Sequence, residues 1–291
     1  MEATISQAEK PEADALIVGR IPFLVCAPFF HATLSGAPGI RFVDGVPNVL
    51  NGELHAGRVD CAPSSSIEYA RHFRDYLILP RISTSSRMEM KSVLFLSKRP
   101  WEELHGAPVA LSPDSATSNV LFQILSARRF GVRPRILSPE RGPAGGEAGV
   151  DASAVGRVYI GDNALVESFS GEWPHRYDLG DVWASWQSLP FAFGLWMVRR
   201  EAWNRKQSAL VRFHALLLKG LADFRENPDQ ALDAWTRKYH SALPRDLILR
   251  FYETADYGFS PDHGRSLETY YRLAREEGHL EELPVLEYAA L

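Results

Sequence analysis

The sequence predicts an α/β protein of two lobes with a ligand cleft between them, and three observations lead there. The first half alternates short apolar strands with helices, the order of a sheet flanked by helices rather than of segregated elements. A second unit of the same kind follows from about residue 101. Hydroxyl clusters stand at corresponding strand-to-helix junctions of the two units, Ser64-Ser65-Ser66 and Ser115-Ala116-Thr117-Ser118. A chain of 291 residues also exceeds what one core comfortably serves.

In the first unit, residues 15–18 and 20–24 read as a first strand running on to Pro28. Residues 49–56 carry a helix signal that Gly57 ends as a C-cap. A short buried strand at 59–62 precedes a helix at 64–73 opened by hydroxyl residues. Strands at 77–79 and 92–97 complete the unit. In the second, 108–111 is a strand and 115–130 a helix with Val120, Leu121, Ile124 and Leu125 on its apolar face, stopped by Gly131. Strands at 135–137 and 157–160 follow, separated by a Gly- and Pro-rich loop at 140–149, and Gly161-Asp162-Asn163 turns into a helix. From Glu201 the chain is helical with breaks near Pro228, Pro244 and Pro261, and Phe213, Leu216, Leu217, Gly220, Leu221 and Phe224 form one apolar stripe. Extended segments at 94–98 and 189–198 are expected to join the units as a hinge. Lobe 1 is then 1–98 with 196–291, whose helices return to cover it, and lobe 2 is 99–195.

Composition narrows the function. Thirty-two basic residues against 36 acidic ones leave a net charge of −4, with no basic surplus for nucleic acid. The two cysteines, Cys26 and Cys61, sit in apolar runs and read as buried free thiols. No stretch has the apolar length of a membrane span and the N-terminus lacks a signal-peptide core, so the expected setting is the cytoplasm. Phosphate-loop, dinucleotide-loop, zinc-protease and nucleophile-elbow motifs are missing, and the nine histidines lack metal-ligand spacing, so no metal is expected.

What remains is a small-molecule site at the junctions. N–H groups at a helix start, with the helix dipole behind them, bind carboxylate or phosphate, and hydroxyls add donors without charge. Ligands of open α/β sheets bind beyond the carboxyl ends of the strands, where two units can face each other. Each serine alone also suits an N-cap, and Asp162 a helix cap. His31, after an apolar turn, is a further residue able to face the cleft.

The same residues resemble the menaquinone-biosynthesis family of the futalosine route, in its chorismate dehydratase branch. The resemblance runs in family order over about residues 15–275: Arg20-Ile-Pro-Phe-Leu, Pro28-Phe-Phe, Ser65-Ser-Ile-Glu-Tyr-Ala70, Lys91-Ser-Val-Leu-Phe-Leu-Ser97, Ser115-Ala-Thr-Ser118, Ile160-Gly-Asp-Asn-Ala-Leu165, Tyr177-Asp-Leu-Gly180 and Leu189-Pro-Phe-Ala-Phe193. It implies a periplasmic-binding-protein-like fold of type II, no cofactor, and removal of water from chorismate to give 3-[(1-carboxyvinyl)oxy]benzoate. It further implies that Ser65, Ser66, Ser92, Ser115, Thr117 and Ser118 contact substrate carboxylates. Asp162 would stand near the reacting hydroxyl with Asn163 beside it, and Glu68 would orient neighbours. Where the family reads Tyr-Leu-Asn-Ser/Ala-x-Pro, this chain has Phe23-Leu-Val-Cys-Ala-Pro28, so Val25 replaces the family's asparagine at the substrate. Gln187-Ser188 replaces Thr-Gly, and Arg87-Met-Glu-Met90 a glycine-containing turn. The alternative is a divergent member that binds or converts another small aromatic carboxylate.

Overall fold

The computed structural model describes residues 15–33, 36–137, 153–239 and 243–291. The extreme N-terminus and the expected loop at 140–149 lie outside them.

Two mixed sheets carry the architecture. In chain order the strands are β1 (Leu16–Arg20), β2 (Ile40–Asp44), β3 (Cys61–Ser65), β4 (Tyr76–Ser86), β5 (Val93–Ser97), β6 (Pro108–Ala110), β7 (Arg135–Leu137), β8 (Gly156–Ile160), β9 (His175–Asp178), β10 (Phe191–Arg199) and β11 (Ala255–Gly258). The first sheet has the order β11-β4-β10-β3-β1-β2 and the second β7-β6-β8-β5-β9. Within the first, β1 runs parallel to β2 and β3, while β10 is antiparallel to β3 and β4. Within the second, β6 is parallel to β7 and β8, and β5 is antiparallel to β8 and β9. Every residue of β3, β5 and β8 is buried, which is why β3 and β5 read as continuous small or apolar runs rather than alternating ones, while β8 also buries Arg157.

The helices are α1 (Ala27–Phe30), α2 (Pro47–His55), α3 (Ser66–Arg71), α4 (Ala116–Ile124), α5 (Gly161–Glu167), α6 (Leu179–Gln187), α7 (Arg200–Glu226), α8 (Pro228–Tyr239), α9 (Arg245–Tyr252) and α10 (Pro261–Glu276). All of the expected apolar stripe of α7 but Leu216, which is half-exposed, lies on its buried face, which packs on α1, β1, β4 and β10. Gly220 is the point of closest approach: a Cβ there would stand 2.6 Å from the Phe29 carbonyl oxygen. Gly57 and Gly131, expected to end helices, have φ of +76° and +69°, a conformation glycine adopts without the Cβ penalty. Proline opens α8 and α10 at their first positions and stands as N-cap of α9, as the breaks at 228, 244 and 261 foretold.

Several expectations are corrected. Residues 24–30 do not extend the first strand but form a 3-10 turn, Leu24–Cys26, followed by α1. Residues 94–97 and 191–198, expected as connecting hinge segments, lie in β5 and β10, hydrogen-bonded inside one sheet each. The chain passes between the sheets at 87–92 and 188–190 instead. Lys91 in the first crossing and Ser188 in the second hold φ of +60° and +56°, unusual for residues with a side chain. β2, β9, α6 and β11 appear where no element was foreseen. β11 exists through its neighbour: it pairs antiparallel with β4, and Ser83 Oγ adds a bond to the Gly258 carbonyl at 2.5 Å and Ser85 Oγ one to that of Asp256 at 2.9 Å.

Candidate ligand cleft

The carboxyl ends of β1, β3, β6 and β8 converge between the two sheets and enclose a cavity with about 540 Å³ of empty space, counted to its open mouth. Ile21 leads out of β1, Ser64 and Ser65 end β3, Ile160 ends β8, and Ser115 and Ser118 start the helix after β6. Met90, Ser92 and Val93 enter from the first crossing, and Thr84, Phe193 and Gly194 from β4 and β10. The wall therefore has two textures. Phe23, Val25, Pro47, Pro63, Met90, Ile160 and Phe193 are apolar, while Ser64, Ser65, Thr84, Ser92, Ser115 and Ser118 supply hydroxyls.

Among the described residues, no arginine, lysine, histidine or carboxylate lines the cavity, and Cys26 is its one titratable side chain. Burial and the nearby Asp162 push its thiol far above its usual range, so it stays protonated and is not a thiolate nucleophile. Cys26 and Cys61 are both buried free thiols, as expected.

Ser65, Ser92, Ser115, Ser118 and Val25 are brought together on this wall. Ser115 Oγ caps α4, accepting from the Ser118 N–H at 3.2 Å, and lies 2.9 Å from Ser118 Oγ. The Ser65 N–H donates to Asn51 Oδ1 at 3.3 Å, and the Gly161 N–H to the Ser92 carbonyl at 2.8 Å. These junction N–H groups are thus engaged within the protein, and hydroxyls are the polar side-chain groups on the wall. Ser64 Oγ, which the sequence reading left out of the site, is buried without a partner among the described residues and lines the cavity. A polar group left so usually answers a ligand or water.

Ser66 and Thr117 go elsewhere. Thr117 Oγ1, fully buried, accepts from the Ile67 N–H at 3.1 Å and lies 3.3 Å from Ser66 Oγ. The pair clasps α3, after the first sheet, to α4, after a strand of the second. The Thr117 carbonyl accepts from Tyr270 of α10 at 3.1 Å and that of Ser66 from Tyr271 at 2.7 Å. Asn48 of α2 adds another link between the units, donating to the Pro113 carbonyl.

Asp162 and Asn163 are not on the cavity wall; they line an outer groove with Phe169, Leu247 and Arg250. Asn163 is exposed. Asp162 Oδ1 accepts from the Leu24 N–H at 3.0 Å, and Tyr252 donates to the Leu24 carbonyl at 2.5 Å. Both backbone groups of Leu24 are thereby fixed, setting the turn that presents Val25 and Cys26. Burial pushes the Asp162 carboxyl up to about 6, against the pull of the Leu24 bond. Gly161 must be glycine here: its φ is +61°, and a Cβ would stand 2.9 Å from the Phe23 ring. His31 is not among the lining residues, and its Nδ1 is buried without a partner among the described residues. Glu68 pairs with Arg71 at 2.5 Å and also lies outside the cavity.

Asp178 is the positioning residue that sequence reasoning missed. Its carboxylate caps α6 through the Gly180 and Asp181 N–H groups at 2.9 and 3.2 Å. It also takes the Met90 N–H at 3.0 Å and the Lys91 N–H at 2.6 Å, pinning the first crossing to the end of β9. Burial pushes it up to about 6 while the four N–H donors pull the other way. The crossing passes so close that a Cβ on Gly180 would meet the Met88 carbonyl oxygen at 2.6 Å. The signal was the Asp-Leu-Gly of residues 178–180, a capping aspartate followed by a glycine.

Comparison with known proteins agrees with this architecture. The profile of the menaquinone biosynthesis family matches residues 16–276. A chorismate dehydratase of Thermus thermophilus is 29% identical over 275 residues, covering 84% of this chain and 97% of that protein. The alkanesulfonate-binding protein SsuA of Xanthomonas axonopodis pv. citri, solved with MOPS bound, superposes with a TM-score of 0.69 at 15% identity, over 95% of this chain and 98% of its own. A Candida albicans protein described as having the generic periplasmic binding protein fold superposes with a TM-score of 0.63 at 10% identity, over 95% and 99% of the two chains. At such identities these two likenesses concern fold alone.

Proposed function

The chain belongs to the menaquinone biosynthesis family, and from that premise we propose that it is a chorismate dehydratase, a hydro-lyase converting chorismate to 3-[(1-carboxyvinyl)oxy]benzoate and water. The observation that carries the reading is a cavity at the strand ends that offers six hydroxyls and no charged side chain. The chemistry asks for little more. A ring C–H bond breaks, its electron pair becomes part of the ring π system, the neighbouring C–O bond breaks, and proton and hydroxide leave together as water. Aromatisation drives the step, so the protein's task is to hold the ring and two carboxylates and to hydrogen-bond the departing oxygen.

No side chain of the wall is a competent base, since Cys26 is held protonated. In this reading the ring proton passes to one of the substrate's own carboxylates. Ser64, with its buried unpartnered hydroxyl, donates to the substrate. Ser65, Ser92, Ser115 and Ser118 hold the carboxylates. Asp162 is a positioning residue acting through Leu24. The lobes of the reading are 1–98 with 196–291 against 99–195, with edges moved to the crossings at 87–92 and 188–190. No helix of the described residues is long and apolar enough to cross a membrane. Two buried free thiols suit the cytoplasm, where disulfides are rare.

A second reading rests on Val25, an isopropyl group on the wall where the family carries an amide. It takes another small aromatic carboxylate as ligand. Incubating the purified chain with chorismate, following loss of the diene absorbance and identifying the product, decides between them. Conversion no faster than the uncatalysed rate, together with thermal stabilisation by a benzoate rather than by chorismate, would replace the first reading by the second.

A further inference from the structure

Away from the cleft, the fold brings together two histidines that the sequence keeps apart. His55 ends α2, the helix whose opposite end puts Pro47 on the cavity wall. His72 is the C-cap of α3, and the Asp75 N–H bonds its carbonyl at 2.9 Å in the turn before β4. Among the described residues, one ligand atom each of His55, His72 and Asp75 lies within 4.8 Å of the other two. The two imidazoles are in contact, with ring centroids 4.4 Å apart and planes tilted by 41°.

We propose that His55, His72 and Asp75 form a surface site for a late first-row divalent cation, with zinc as its representative. Two imidazoles and one carboxylate, with a fourth position left to water, are a ligand set that zinc accepts. Imidazole donors favour zinc, nickel or copper over magnesium and calcium, which prefer all-oxygen surroundings. Bonds of about 2.1 Å in a tetrahedron put ligand atoms roughly 3.4 Å apart. The three groups must therefore close in slightly, which His55 and Asp75, both exposed, do by side-chain rotation. Glu68, which holds Arg71, stands behind them with Oε2 3.9 Å from His72 Nε2 and adds negative charge beside the site. The site departs from the expectation of no metal, because ligands 17 and 20 residues apart in sequence (72 minus 55, 75 minus 55) have no recognisable spacing. It is independent of the dehydratase reading. Its occupant fastens the C-terminal end of α2, the helix that carries Pro47, Asn48 and Asn51 toward the cleft, to the turn before β4.

The test titrates Zn2+ into the full-length chain by calorimetry, after chelator treatment and in a non-coordinating buffer with excess Mg2+. The expected result is saturable binding of one ion per chain and a Tm that rises with zinc concentration. Both cysteines are buried, so thiols do not compete. His55→Ala and His72→Ala should each weaken binding by about tenfold or more, and Asp75→Asn less. Co2+ bound in place of zinc should give the visible absorption of a tetrahedral nitrogen–oxygen site, lost in His55→Ala. Because His55 is exposed, that variant keeps its metal-free Tm and decides the matter even if His72→Ala folds poorly. Absence of saturable binding in the parent chain, or unchanged affinity in His55→Ala, overturns the proposal.

Discussion

Replacing Thr117 by valine separates a contact between the two units from a contact with ligand. The change keeps the shape of a fully buried side chain and removes its hydroxyl. The Ile67 N–H, 3.1 Å from Oγ1, then loses its acceptor in a place water does not reach. An unsatisfied buried donor costs about 1–3 kcal/mol. Ser66 Oγ, at 3.3 Å, loses a neighbour in the same step, which keeps the estimate in the upper half of that interval. For a chain near this size the loss lowers Tm by roughly 2 °C or slightly more for each kcal/mol. Urea unfolding of the ligand-free chain should show it, and Thr117→Ser should recover most of it. Because the bond joins α3 to α4 and does not reach the cavity wall, ligand affinity falls by no more than the same free energy, tenfold for about each 1.4 kcal/mol. If ligand-free stability is unchanged while affinity drops more than about tenfold, Thr117 touches the ligand and the clasp is wrong.

Val25→Asn restores the amide of the resembled motif. If chorismate is the substrate, kcat/KM rises by about 10–100-fold, the scale of one hydrogen bond to a charged group, while burial of the amide costs folding about 1–3 kcal/mol; steady-state assay beside thermal melting checks both, and lower activity in a folded variant counts against the reading. Asp178→Ala removes the α6 cap and the acceptor of the Met90 and Lys91 N–H groups, and should destabilise by about 2–5 kcal/mol in urea; a loss under about 0.5 kcal/mol would mean that the crossing needs no pin. Asp162 is raised from 3.8 to about 6 in the fold, so the folded chain holds its proton more tightly than the unfolded one. The resulting contribution is full below 3.8 and lost as pH rises to about 6. The Tm advantage of the parent over Asp162→Asn should therefore shrink between those pH values and level off above them, and a difference flat with pH refutes it.

Local pattern carried the fold wherever packing agreed with it. β5 was visible as an apolar run, and most of the α7 stripe as a face, because burial on those elements follows the spacing of their own residues. Residues 24–30 failed for the opposite reason. Their conformation is set by Asp162 and Tyr252, 138 and 228 positions away from Leu24, and no local signal reports so distant a partner. β11 is similar: Ala-Asp-Tyr-Gly has no strand pattern, and its place is set by antiparallel pairing with β4, about 170 positions earlier, to which the hydroxyls of Ser83 and Ser85 add bonds.

The site was legible as a composition and illegible as a geometry. Members of both hydroxyl clusters do line the cavity, yet a run of hydroxyls does not say which member faces inward. In the strand 83–86 alternation does say it. Ser83 and Ser85 bond β11, so Thr84 between them points the other way, into the cavity. At residues 64–66 the strand ends and the alternation breaks, so Ser64 and Ser65 reach the wall while Ser66 turns to Thr117.

The absence of a cation from the wall fits the reaction proposed. An arginine would bind a dicarboxylate more tightly, but its charge would lower the carboxylate's pKa and with it the basicity needed to take a ring proton. Hydroxyls hold the same oxygens through dipoles and leave more of that basicity in place. The apolar half of the wall acts in the same direction, because a carboxylate shielded from water by Phe23, Val25 and Phe193 is a stronger base than one in solution. Affinity given up by omitting a charge is thus returned as reactivity of the ligand's own carboxylate, which makes the missing ion pair a property of the chemistry rather than a gap in the site.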